Sequence, residues 1–148
     1  MNLDDLIKET AETLRTTEGL ETTEVIEEDL GDVAKKIETS IAQQSRCITV
    51  GLNGCDHVAT VRQDGDDPDS LYVEANLVIA VFEKPVVNRK DAGSPRLMGM
   101  ATRISKAVDG TCADGMTEAI HFVKITPIQQ LDRGVITCDV VFRTKNSI

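Results

Sequence analysis

The chain predicts an α+β protein: a mainly antiparallel sheet of four to five strands with two or three helices packed on it. Three observations lead there. The run from Leu71 to Phe82 alternates without a break, with Leu71, Val73, Ala75, Leu77, Ile79 and Val81 on one face. Two segments further along and further back, around 97–108 and 29–45, carry apolar residues at helical spacing instead. Val, Ile and Thr together supply 42 of the 148 residues, a composition suited to a sheet-dominated core.

Leu3, Leu6, Ile7 and Leu14 predict a first helix over 3–15, with Asp4 and Asp5 in the turn where the helix dipole favours carboxylates. Its apolar stripe is narrow, so it is expected on a surface, at home or against a neighbour. Residues 1–20 are accordingly taken as this helix and its connection, and 21–148 as a single α+β domain. Val25 and Ile26 predict a short extended piece. Asp29 is a candidate N-cap for a second helix carrying Leu30, Val33, Ile37 and Ile41 on one face and ending near Ser45. Arg46 to Leu52 predicts a strand with Ile48, Val50 and Leu52 in phase, and Asn53-Gly54 a turn before a further strand over His57 to Arg62.

The long strand over 71–82 is apolar along one face and apolar only at its far end on the other, at Val78, Ala80 and Phe82. At ~3.3 Å per residue it spans about 40 Å, more than most strands. Val78 and Phe82 therefore need a cover from elsewhere. After a polar connection containing Pro85, Ser94 as N-cap and Pro95 at the first helical position predict a helix carrying Leu97, Ala101, Ile104 and Val108, stopped at Gly110. Met98 and Met100 beside that stripe read as packing. Residues 120–126 and 135–144 predict two closing strands, the second with Ile136, Cys138, Val140 and Phe142 on one face.

Lys and Arg number 16 against 25 Asp and Glu, a net charge of -9. That balance speaks against a protein that gains affinity by neutralising DNA phosphates, and 3% aromatics against base stacking. No apolar run reaches the ~20 residues of a membrane helix, and the acidic N-terminus does not read as an export signal. The charge is concentrated: residues 1–44 hold 12 acidic and 4 basic side chains, the remainder 13 and 12. Within the remainder Asp64, Asp66, Asp67 and Asp69 form an acidic loop, and Lys84, Arg89, Lys90, Arg96, Arg103 and Lys106 a basic stretch opposed only by Asp91. Such patches read as solvated surface or as complementary surfaces that meet between subunits.

Little catalytic or metal chemistry is expected. Counting from Asp64, the sixth and twelfth positions are Asp69 and Ala75, so the glycine and the closing acid of a calcium loop are missing. Cys47, Cys55, Cys112 and Cys138 match no common zinc spacing, and reduced thiols are expected. Cys55-Asp56-His57 is the one tight cluster of possible ligands, and His121 is the other histidine. The phosphate-loop, dinucleotide, nucleophile-elbow and zincin motifs are absent. Neither an enzyme, a cofactor nor a metal is expected.

The stretch from Leu77 to Val108 reads LVIAVFEKPVVNRKDAGSPRLMGMATRISKAV. A strand ending in an acid and a Pro, then Asn-Arg, a polar loop and an amphipathic helix, resembles the small neck and tail-completion proteins of long-tailed bacteriophages. The order of elements is similar to that of their tail terminators, including the closing pair of strands, HFVKITPIQQLDRGVITCDVVFRT. At the level of residues only VFEKPVVNR, Val81 to Arg89, carries the resemblance. It implies a virion protein of the tail or neck, assembled in a bacterial cytoplasm, that forms a ring, usually of six copies. The ring would cap the tail tube and present a surface to the head-side connector or stopper, with DNA only passing through and no membrane partner. Other readings are a different neck or head-tail joining protein, or a small non-viral oligomeric interaction module. On the ring reading Asp64, Asp66, Asp67 and Asp69 of one copy face Lys84, Arg89, Lys90 and Arg96 of the next, with Val78 and Phe82 adding a dry contact.

Overall fold

The computed structural model describes residues 2–58, 69–88 and 93–148. Its centre is β3 (Tyr72–Glu83), whose odd-numbered residues are buried and whose even-numbered ones are half-buried, as the alternation predicts. Antiparallel partners flank it over its whole length: β2 (Arg46–His57) on one side and β6 (Ile136–Ser147) on the other. A short parallel strand, β1 (Val25–Glu27), extends the sheet beyond β2. Beyond β6 come β4 (His121–Ile125) and the two-residue β5 (Gln129–Gln130), which pairs with the start of β6. The sheet thus has six strands, five of them in the order β1-β2-β3-β6-β4 and β5 pairing β6 off that path; it is slightly larger than expected and antiparallel except at β1. The helices are α1 (Leu3–Arg15), α2 (Val33–Gln44), the one-turn α3 (Pro85–Asn88) and α4 (Leu97–Val108).

One sheet face carries the core. Ile48 and Val50 of β2, Leu77, Ile79 and Val81 of β3, and Val140 and Phe142 of β6 meet Leu6, Ala11 and Leu14 of α1 and Met100, Ala101 and Ile104 of α4. Each such aliphatic side chain taken from water contributes roughly 1.5–3 kcal/mol before entropy. The N-terminal helix therefore packs on its own sheet, capped by Asn2, whose side chain accepts the Asp4 N–H at 3.0 Å.

Helix α2 adds nothing to that cluster. It starts at Val33 and not at Asp29: Asp32 is the N-cap, accepting the Lys35 N–H at 3.2 Å. Gly31 lies at φ +101°, outside helical space, and Leu30 is left 56% exposed, with its carbonyl held by the Lys36 ammonium. Asn53-Gly54 is also not a turn between strands. β2 runs on to His57, and the register slips by one residue between Leu52 and Cys55. Gly54, at φ +79°, supplies the left-handed conformation that a bulge needs as much as a turn does. Of the strand expected over His57 to Arg62, His57 ends β2 and residues 59–62 lie outside the described residues.

The helix expected to open at Ser94-Pro95 begins at Leu97, with Arg96 in the N-cap position making no side-chain cap bond. The cap comes from another element: Glu83, at the end of β3, accepts the Leu97 N–H at 2.7 Å.

Candidate functional site

The VFEKPVVNR stretch lies where β3 hands over to α3, and two of its described polar residues, Glu83 and Asn88, turn inward. Glu83 is 1% exposed. Its carboxyl Oε2 also accepts from Asn88 Nδ2 at 3.3 Å, and the same amide donates to Pro95 O at 3.0 Å. Asn88 Oδ1 accepts in turn from Arg46 Nη1 at 3.3 Å. Arg46 pairs with Glu83 across the β2–β3 ladder and spends its other donors on Thr23 Oγ1, Gln44 O and Thr22 Oγ1 at 3.0–3.1 Å. A buried polar group without partners costs about 1–3 kcal/mol; here Arg46, Asn88 and Glu83 satisfy one another and fix the path from β3 into α4. Sequence reasoning missed this network. Its signal was the phase of Glu83, which continues the buried face of an otherwise apolar strand.

The surface residues singled out as interface candidates fall in separate places. Asp69 is exposed, just before β3, while Lys84 follows its last residue, so the two stand at opposite ends of a strand about 40 Å long at ~3.3 Å per residue. Arg96 is exposed at the start of α4. Asp64, Asp66, Asp67, Arg89 and Lys90 lie outside the described residues. Val78 sits in a shallow depression on the second sheet face with Lys124, Asp139 and Arg143.

Phe82 and Lys84 do come together, in an open groove of about 770 Å³. One wall is the apolar stripe of α2, Ile37 and Ile41. Leu131 and Val135, between β5 and β6, line it as well, with Val87 after β3. Glu38, Lys84, Asp132 and Arg133 supply its charged lining. Phe82 faces away from the core because its neighbours Val81 and Glu83 face into it.

Beside the groove the arm from His121 to Val135 forms the far edge of the sheet, and four of its apolar side chains are open to water: Phe122 at 41%, Val123 at 38%, Ile128 at 49% and Leu131 at 45%. The Phe122 ring meets the buried Phe142 edge-on at 5.9 Å, which orients the root of the arm. Exposed apolar side chains form a contact surface only where they make one sizeable patch.

Among the described residues no three His, Cys, Asp or Glu side chains gather as a metal site. Cys47 and Cys138 are buried; burial chiefly, with Glu24 beside Cys47 and Asp139 beside Cys138, pushes their thiols up to about 12 and about 11. Thiols held protonated in this way are poor nucleophiles and poor ligands. What the arrangement offers is surface: a groove, an apolar arm and charged ends.

Neither a family model nor a curated protein matches the sequence. Among solved structures, the chain is similar to one described as "Virion of native gene transfer agent (GTA) particle". The TM-score is 0.56 at 16% sequence identity, over 94% of this chain and 92% of that one. At that identity the likeness is one of fold, and it extends over nearly the whole of both chains.

Proposed function

We propose that this chain is a virion structural protein of the tail-terminator kind. Copies of it form a ring, of six subunits on this reading, that caps the tail tube and receives the head-side connector or stopper. The observation that carries the reading is the near end-to-end fold likeness to a virion chain. The element order and the VFEKPVVNR stretch that resemble tail-completion proteins support it from the sequence. The protein acts by binding, with no substrate turned over. A net charge of -9 suits a wall past which DNA moves without adhering.

A ring with one kind of contact needs two different patches on each subunit. The acidic loop containing Asp64, Asp66, Asp67 and Asp69 and the basic stretch containing Lys84, Arg89, Lys90 and Arg96 are proposed as one such pair; of these, Asp69 lies just before β3 and Lys84 just after it. The test is charge reversal of Arg89 and Arg96 to Glu, read by mass in solution. The expected result is a folded monomer where the parent forms a ring. Rings that persist at moderate salt in the doubly reversed protein contradict the charged contact.

A further inference from the structure

We propose that the outer face of the helix layer is a docking surface for a second copy of this chain, turned through a two-fold axis so that α1 of each copy lies on α4 of the other. The contact goes beyond the ring reading and does not depend on it.

Helix α1 lies over β1 and β2, and α4 beside it over β3, β6 and β4. Both bury their apolar stripes in the one core cluster, so their outer faces look the same way. Those faces carry opposite charge. On α1, Asp5, Glu9 and Glu12 follow at spacings of 4 and 3 and share a ridge, with Lys8 beside it. Helix α4 holds no acidic residue, and Arg103 and Lys106 stand exposed on its outer face. Among the described residues none of these carboxylates or cations is in an ion pair. Arg103 instead donates to the Glu18 carbonyl at 3.0 Å.

A shallow hollow lies beside the two cations, lined also by Met98, Gly99 and Thr102. Met98 is 45% exposed. Gly99 is the third residue of α4, its φ is not positive, and among the described residues nothing lies within 4 Å of where its Cβ would stand. Neither the backbone nor packing within the chain calls for glycine there, and helix propensity disfavours it. A missing side chain on an outer face lets another backbone approach closely.

The arrangement of the charges selects the occupant. A polyanion laid on α4 would run beside the acidic ridge of α1 and be repelled by it. The surface that fits must bring acid to α4 and base to α1 at once, at the spacing of the two helices. A second copy supplies both when a two-fold axis in the contact plane runs between α1 and α4. One isologous contact then satisfies both ridges, and it is distinct from the head-to-tail contact of a ring. Exposed ion pairs are weak singly, so two lone copies pair only in concentrated protein. In a ring the contacts of all subunits act together.

The test is the mass of concentrated protein in solution, with unfolding curves confirming that each variant folds. Thr102→Glu with Lys106→Glu makes the α4 face acidic, and Asp5→Lys with Glu12→Lys makes the α1 face basic; all these positions are exposed. Each double variant should have about half the mass of the parent, whether the unit that pairs is a single copy or a ring. Mixed in equal amounts, the two should regain the parental mass, because acid on both ridges of one then meets base on both ridges of the other. Gly99→Leu, which alters no charge, should halve the mass as well. A parent of the same mass as the variants overturns the inference. So does a mixture that stays at half the parental mass, or a Gly99→Leu protein that keeps the whole of it. None of these outcomes bears on the ring, which reversal of Arg89 and Arg96 tests by itself.

Discussion

Glu83 and Leu97 lie fourteen residues apart and are joined by a 2.7 Å hydrogen bond from the Leu97 backbone N–H to the Glu83 carboxyl group. The last residue of the central strand thereby caps the helix that covers it. Hydrogen bonds to such groups are worth ~1.5–3 kcal/mol, and a lost helix cap costs about 1 kcal/mol.

Replacing Glu83 by Ala removes the cap and leaves Asn88 Nδ2 short of one acceptor. Glu83→Ala is expected to lower unfolding free energy in urea by about 2–3 kcal/mol, and Glu83→Gln, which keeps an acceptor, by about 1 kcal/mol. Equal losses for the two would mean that an amide oxygen cannot replace the carboxyl group as the cap, and a harmless Glu83→Gln would mean that side-chain volume matters and the carboxyl group does not.

Leu14 tests where the N-terminal helix belongs. It is fully buried against the core cluster, so Leu14→Ala should cost about 2–5 kcal/mol through lost burial and a cavity. The measurement is made on dilute protein, where no neighbour is present. A loss under ~0.5 kcal/mol, the range of surface substitutions, would place the helix off its own sheet in solution.

The cysteines divide by burial. Cys55 and Cys112 are exposed, Cys47 and Cys138 buried. A thiol reagent at pH 8 should modify Cys112 and Cys55 in the folded protein, Cys55 slowed because partial burial and then Asp56 raise its thiol. Cys47 and Cys138 should react only on unfolding, as counted by mass. Cys47 also links stability to alkaline pH. Its folded thiol holds the proton up to about 12 against an ordinary 9.0, so that contribution is complete below pH 9. It is lost as pH rises from 9 toward 12. Cys47→Ala should flatten that part of the alkaline profile.

The sequence made the sheet legible where one periodicity ran uninterrupted. β3 from Val73 onward and most of the buried stripes of α1 and α4 follow from it; Leu71, expected on the buried face, lies before β3 and is 52% exposed, and Thr10 and Ala11 complete the α1 face. It misled where a local signal had two structural solutions. Both Asp29 and Asp32 can cap a helix, and Leu30 extends the apolar spacing backward; Gly31 decides the matter by leaving helical space. Gly54 serves a turn or a bulge equally, and pairing with β3 selects the bulge. Ser94 and Pro95 are good start signals, yet the carboxyl group that caps α4 comes from the far end of β3, which no local window contains. The need for a cover over Phe82 was legible. Its partial cover, by α2 on one side and the β5–β6 turn on the other, was not, because it depends on elements brought together from 37 to 135.

As proposed, this protein ends a tail tube. The most direct measurement is the growth of tubes from purified tail-tube protein, followed by electron microscopy with and without this protein. On the terminator reading growth stops and one end of each tube carries a ring of the added protein. Tubes that lengthen unchanged, with bare ends, at concentrations where the protein is assembled would contradict it.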